Sequence, residues 1–206
     1  MIKLLTQCIR QTILWAVVTG IVYPLVITFI AQAAFKDAAN GSLVTRNGKI
    51  IGSALLAQQF QGTNYFWPRP SACTYGTGPS GIVASSGSNL GPTSGQLQTN
   101  VMNNVAAFIS GNNLATNTVV PADMVFASAS GLDPHISPEA ARLQVARVAA
   151  SRGLGEDKVK ALVERFTEPP QWGFLGQARV NVLLLNVALD DMGSTQKAGA
   201  SAQKSG

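Results

Sequence analysis

With 206 residues, the chain has room for one soluble domain and little more. Charged residues make up 12% against 46% hydrophobic ones, about half the usual charged share, which points to a buried core together with a membrane segment. The net charge of +5 is scattered, and no Lys or Arg falls between Pro70 and Ala141, which speaks against a nucleic-acid-binding face.

Residues 1–10 carry Lys3 and Arg10 and precede an apolar run. From Gln11 to Phe35 there is no charge over 25 residues, more than the roughly 20 that span a hydrocarbon core. Trp15 sits where an interfacial aromatic belongs, and Pro24 predicts a kink that a membrane helix tolerates. Ala31-Gln32-Ala33 also fits a cleavage site, so a removed signal peptide is the competing reading. The run exceeds the usual apolar core of a signal peptide, about 7–15 residues, and this favours a retained anchor over residues 11–35. Lys3 and Arg10 favour a cytoplasmic N-terminus, although Lys36, Arg46 and Lys49 lie on the other side. Thr19 and Gly20 offer a face for close helix approach.

Beyond the anchor, Asn47-Gly48 between Leu43-Val44-Thr45 and Lys49-Ile50-Ile51 predicts a hairpin. Ser53 to Phe60 reads as a short helix ended by Gly62. Tyr65-Phe66-Trp67-Pro68-Arg69-Pro70 is an aromatic loop stiffened by proline, which either covers the domain's own core or faces a partner. Cys73 to Gly95 has the composition of a linker. Leu97, Val101, Val105 and Phe108 predict a helix stopped by Gly111, and Val119 to Phe126 a strand interrupted by Pro121.

Ser137-Pro138-Glu139 predicts a helix start, with a capping side chain, a proline in the first turn and an acid at the positive helix end. Gly153 closes that helix, and Val159, Leu162, Val163 and Phe166 mark the next. Val180, Leu183, Leu184 and Val187 predict a last helix, and residues 191–206 read as a disordered tail. The fold class is therefore mixed α/β (α+β), with a single extramembrane domain over residues 36–190 behind one N-terminal transmembrane helix.

The chemistry is sparse. Cys8 and Cys73 suggest neither a disulfide framework nor a zinc site, and no metal-ligand spacing is present. His135 is the single histidine, and a tethered hydrolase would have to use it. Ser85 to Gly91 is small enough to wrap an anion but lacks the lysine of a phosphate loop.

Four segments in order resemble the C subunit family of the Kdp potassium-transporting ATPase, KdpC. They are Gly52–Phe60 with Tyr65-Phe66 and Arg69–Ala72; Ser86–Thr93; Ser130–Ser137 with Gln144, Arg147 and Arg152-Gly153; and Val180–Leu183 with Leu185-Asn186 and Ala188–Asp190. The resemblance implies a non-catalytic accessory subunit of a high-affinity potassium pump in a bacterial plasma membrane, working with a channel-like A subunit, a P-type ATPase B subunit and a small F subunit. It implies a role in assembly and a catalytic chaperone role that raises the B subunit's affinity for ATP, with no tightly bound cofactor of its own. An ATP contact on this chain is assigned to Gln144, which both donates and accepts, with Ser128, Ser130 and Gly131 upstream; the alternative is a helix-surface glutamine. A domain outside the cell meets little ATP, so direct contact would need the opposite topology. The partner surface is assigned to Tyr65, Phe66, Arg69, Pro70, Asn89, Leu90, Asp133 and His135, within and beside the charge-poor stretch. An anchored extracytoplasmic binding or inhibitor module is the alternative function.

Overall fold

The computed structural model describes the backbone of residues 1–73 and 84–203, and the side chains of those up to residue 193. It falls into two compact units, Met1–Ser53 and Ala54–Gly206.

The first unit begins with α1 (Ile2–Val17), a π-helical turn (Val18–Val22) and α2 (Tyr23–Ala34). Together these 33 residues form one helix long and apolar enough to cross a membrane. Next to Pro24, where a kink is expected, the helix carries this wide turn: Pro24 has no N–H to donate, and the Tyr23 N–H reaches back five residues to the Val18 carbonyl. The Thr19 hydroxyl donates to the Trp15 carbonyl at 2.7 Å in the same stretch. A short turn, α3 (Lys36–Ala39), leads to the expected hairpin of β1 (Leu43–Arg46) and β2 (Lys49–Ser53). Asn47 and Gly48 both have positive φ, 51° and 74°, the geometry that a two-residue turn between twisted strands requires.

The second unit contains α4 (Gly95–Gly111), β3 (His135–Ile136), α5 (Pro138–Arg152), α6 (Glu156–Arg165), β4 (Thr167–Glu168), β5 (Arg179–Asn181) and α7 (Val182–Gln203). The strands form an antiparallel sheet in the order β3-β5-β4, with Val180 opposite both Ile136 and Thr167. Val148, Val159, Val163, Val180, Leu185 and Leu189 form the core where α5, α6 and α7 meet this sheet. The start of α5 follows its sequence signals: Ser137 Oγ accepts from the Ala140 N–H, and Gly153 ends the helix in the left-handed conformation at φ 64°.

Four expectations are corrected. Ser53–Phe60 is not helical: Ser53 ends β2, the Ala54 carbonyl accepts from Asn181, and the Ala57 N–H donates to the Leu132 carbonyl, so groups that a helix would pair locally go to remote segments. Val119–Phe126 holds a single 3-10 turn, Ala122–Met124, in place of a strand, because Pro121 cannot enter a ladder. The last helix starts at Val182, with Asn181 Oδ1 capping the Leu184 N–H at 3.1 Å; Val180 belongs to the sheet, and the helix buries Val182, Leu183, Leu185, Asn186 and Leu189, so that of the expected stripe Leu183 is buried while Leu184 and Val187 are only partly so. Its helical backbone continues past Asp190, where the disordered tail was expected, and Met192 still packs on the core. Residues 204–206 of that tail and 74–83 of the linker-like stretch lie outside the described residues.

Candidate functional site

The aromatic loop lies over the middle of α5, and α5 and α7 hold its backbone. Asn186 clamps Phe66 from both sides, accepting from its N–H at 2.8 Å and donating to its carbonyl at 3.0 Å. Gln144 Oε1 accepts from the Trp67 N–H at 2.7 Å and from Arg147 Nη2 at 2.9 Å, while its amide nitrogen faces the Trp67 and Ala140 carbonyls. Arg147 is 5% exposed and donates only to neutral oxygens: Asn112 Oδ1 and the Thr63 and Tyr65 carbonyls besides Gln144. Its guanidinium stacks on the Trp67 ring, and burial pushes its pKa down to about 10, so it stays charged at neutral pH. Beside this knot, Asp190 accepts from Arg152 at 2.7 Å and from the Tyr65 hydroxyl at 3.2 Å.

This arrangement corrects two assignments. Phe66 is fully buried and is a core residue, not a partner-facing one. Gln144 is also fully buried, and its amide is committed on both sides, so it is neither a helix-surface residue nor positioned to read a nucleotide base. Tyr65 is half-buried and turned toward Asp190 and Arg152.

Three other candidates do come together. Asp133 Oδ2 accepts from Arg69 Nη1 at 2.6 Å; Asp133 Oδ1 accepts from the His135 N–H at 3.0 Å and lies 3.5 Å from His135 Nδ1. All three side chains remain partly exposed and line an open groove with Asp123, Phe126 and Arg179. Asp123 is engaged with the start of α5, accepting from the Ser137 N–H at 2.6 Å and its hydroxyl at 3.1 Å. Pro70 lines a neighbouring cleft with Arg69 and Trp67.

The small-residue segments bind one another. Ser86 N–H and Ser85 Oγ both donate to the Ser130 carbonyl, at 3.0 and 2.9 Å, and Ser71 Oγ donates to the Gly131 carbonyl at 2.8 Å. Ser128 N–H donates to the Pro70 carbonyl at 3.0 Å, and Ser128 Oγ lies 3.3 Å from Ser130 Oγ. Gly131 has φ 71°, and a Cβ there would lie 2.1 Å from Cys73 Sγ, so only glycine fits. The stretch around Ser85 and Ser86 is thus tied into the unit rather than free as a linker would be. Asn89 is exposed in the left-handed conformation at φ 52°, and Leu90 beside it is half-buried. The bonds of Gln144 run to Trp67, Ala140 and Arg147, while those of Ser128 and Ser130 run to Pro70, Ser85 and Ser86.

The sequence reading passed over Trp172, Phe174 and Leu175, which are 78%, 73% and 44% exposed at the tip of the β4–β5 connection. The available signal was a run from Pro169 to Ala178 that has no charge yet carries two aromatic rings.

These features define a chain with one span-length apolar helix followed by a small α+β unit, whose interior is organised by an arginine that bonds to neutral oxygens in place of a carboxylate. The sequence profile of the K+-transporting ATPase, c chain family (KdpC) matches residues 5–191. The potassium-transporting ATPase KdpC subunit of Geobacter metallireducens is 50% identical over 184 residues, covering 88% of this chain and 94% of that protein. The proteins of the same name from Dechloromonas aromatica and Mycobacterium tuberculosis are 48% identical over 189 residues and 47% over 186, covering 92% and 90% of this chain and 97% of each relative. The chain belongs to the KdpC family.

Proposed function

We propose that the chain is a non-catalytic accessory subunit of a potassium-transporting ATPase complex in a bacterial plasma membrane. The observation that carries this reading is the family match, which runs through both the apolar helix and the α+β unit rather than through one of them. The helix Ile2–Ala34 is the anchor, and Lys3 and Arg10 hold the N-terminus on the cytoplasmic side, leaving the second unit outside. The partners are a channel-like subunit, a P-type ATPase subunit and a small fourth subunit. The chain aids their assembly and raises the ATPase subunit's affinity for ATP. It does so through subunit contact and without a bound cofactor, because the Gln144 amide is spent inside the core. His135 serves as a neighbour of Asp133 in a charged surface cluster rather than as a general base.

The test is co-purification. The chain is tagged at its C-terminus and membranes of potassium-starved cells are extracted in mild detergent. Recovery of a P-type ATPase and a channel-like subunit in fixed ratio supports the reading. Recovery of the chain alone, in cells that express the pump, rejects it in favour of an anchored binding module.

A further inference from the structure

In the first unit, the β1–β2 hairpin is fixed to the end of the apolar helix. Gln11 to Phe35 is uncharged and Lys36 is the first charge after it, so α3 begins where hydrocarbon gives way to headgroups. From there the chain does not run straight out into water. Asn40 folds back onto the end of α2, where its side-chain amide and that of Gln32 exchange two hydrogen bonds, at 3.3 and 3.4 Å. Asn40 Nδ2 also donates to the Lys36 carbonyl at 2.6 Å, and the Ser42 N–H to the Asp37 carbonyl at 2.9 Å. At the far end of β2, Ser53 Oγ donates to the Gly41 carbonyl at 2.6 Å. Both ends of the hairpin are thus tied to the foot of the helix, and Leu43, three residues past Asn40, starts within roughly 10 Å of it.

The hairpin turns apolar side chains outward at that level. Leu43 and Thr45 alternate with the half-buried Val44 and Arg46, and Thr45 pairs with Ile50, so Leu43, Thr45 and Ile50 share one face. Leu43 is 51% exposed and Ile50 64%. Two strands alone are marginally stable in water. Open strand edges cannot enter hydrocarbon either, which leaves the headgroup layer as the depth that suits this hairpin. The charge agrees. From Lys36 to Ser53 the chain carries Lys36, Arg46 and Lys49 against Asp37 alone, and Lys36 and Lys49 are exposed. A basic excess beside apolar side chains is what an anionic leaflet attracts. A protein partner would have to displace a leaflet that the tether already holds within reach.

We propose that the β1–β2 hairpin lies flat on the leaflet from which α2 emerges, with Leu43 and Ile50 in the headgroup region and Lys36 and Lys49 at the phosphates of anionic phospholipids. This rests on the reading of Ile2–Ala34 as the membrane anchor. The hairpin is then a second foothold, which fixes the direction in which the chain leaves the bilayer.

The experiment uses the full chain in a Cys8→Ser background, reconstituted into vesicles of phosphatidylethanolamine and phosphatidylglycerol; the remaining Cys73 is buried. Leu43→Cys, Ile50→Cys and, within α2, Ile27→Cys each carry a polarity-sensitive dye. Leu43 and Ile50 are exposed, so the chains labelled there keep the parent's melting temperature. At positions 43 and 50 the dye is expected to be blue-shifted and quenched severalfold more by a headgroup-nitroxide lipid than by aqueous iodide. In vesicles of phosphatidylcholine alone, nitroxide quenching at position 50 is expected to fall severalfold; undiminished quenching there overturns the pairing of the lysines with anionic lipid. Free access of iodide to positions 43 and 50 overturns the proposal. So does shielding from both quenchers, which marks cover by protein. The dye at position 27 reports on the anchor separately. If acyl-chain nitroxides fail to quench it, the anchor reading fails and the proposal falls with it. If they quench it while positions 43 and 50 stay in water, the proposal alone fails.

Discussion

The guanidinium carbon of Arg147 lies 3.9 Å from the centroid of the Trp67 ring, and every hydrogen bond it donates ends on a neutral oxygen. The arginine therefore fixes the 63–67 loop by geometry rather than by ion pairing. Arg147→Met keeps much of the volume but leaves the Thr63 and Tyr65 carbonyls, Asn112 Oδ1 and Gln144 Oε1 short of a donor. With at least two of these left unpaired in the interior, the loss of stability is expected at about 3 kcal/mol. Arg147→Lys recovers only part of it, because an ammonium lacks the planar fork that reaches four acceptors. Urea unfolding of the full chain in detergent measures both, and equal stabilities for Met and Lys would refute the fork argument.

The same residue sets a pH expectation. Burial lowers its pKa from the usual guanidinium range to about 10. The unfolded chain therefore binds more protons than the folded one only above about pH 10, and linkage makes the Arg147 contribution rise with pH there. Between about pH 6 and pH 9 both states are protonated, so the stability difference between parent and Arg147→Met should stay flat. A slope within that window would mean that another group titrates against this arginine.

Arg142 and Glu164 tie α5 to α6 through two parallel bonds, Nε to Oε1 at 2.8 Å and Nη2 to Oε2 at 3.1 Å. Hydrogen bonding from Arg142 holds the Glu164 carboxyl below its usual range, despite some opposing desolvation. A carboxylate depressed on folding stabilises above its unfolded pKa and loses that contribution as pH falls through its folded value. Glu164→Gln should thus lower the melting temperature slightly at neutral pH and match the parent in acid. Both side chains are about half exposed, so added salt should shrink the difference as well. A gap that persists at low pH and high salt would assign the effect to packing.

What the sequence made legible were features written in adjacent residues. Ser137-Pro138-Glu139 and Gly153 bracket α5, and Asn47-Gly48 defines the first hairpin, because caps and turns are set by the residues that form them. The strands β3, β4 and β5 have two or three residues each, too few for an alternation to register. The fate of the aromatic rings was also hidden. Phe66 is drawn inward by Asn186, 120 positions away, and Trp67 by Gln144, 77 positions away, whereas Trp172 stays 78% exposed. Of the candidate surface, Arg69, Asp133 and His135 converge through a salt bridge across 64 positions, a pairing that no local spacing in the sequence announces.

Gly131 is the residue on which the small-residue loops close. Its φ of 71° and the 2.1 Å approach of a built Cβ to Cys73 Sγ leave no room for a side chain. Gly131→Ala is expected to destabilise by about 2 kcal/mol, combining backbone strain with overpacking. It should also unmask the Cys73 thiol, now buried against the Ser86 and Ser130 carbonyls. In a Cys8→Ser background, native-state labelling of Cys73 by a thiol reagent should be slow in the parent and faster after the Gly131 substitution. Equal rates would show that the Ser71, Ser86 and Ser130 segments open independently of this glycine.

The buried position of Gln144 separates two accounts of how ATP affinity is raised. Gln144→Glu keeps the acceptor for the Trp67 N–H and places a charge beside Arg147 Nη2, while giving up the weaker donations to the Trp67 and Ala140 carbonyls at 3.4 and 3.3 Å. Gln144→Leu removes the acceptor altogether and strands two donors, at an expected cost of about 2 kcal/mol. If the amide is structural, the apparent KM for ATP of the assembled pump stays at the parent value in the Glu variant, and in the Leu variant it changes only together with loss of this chain from the complex. His135→Ala, which disturbs a surface neighbour of Asp133, should leave potassium uptake at the parent level. An ATP KM that shifts severalfold in the Gln144→Glu variant, with stability and subunit content intact, would place the nucleotide on this chain and require the loop from Thr63 to Trp67 to open, because the amide is accessible only when its bonds to Trp67 are broken.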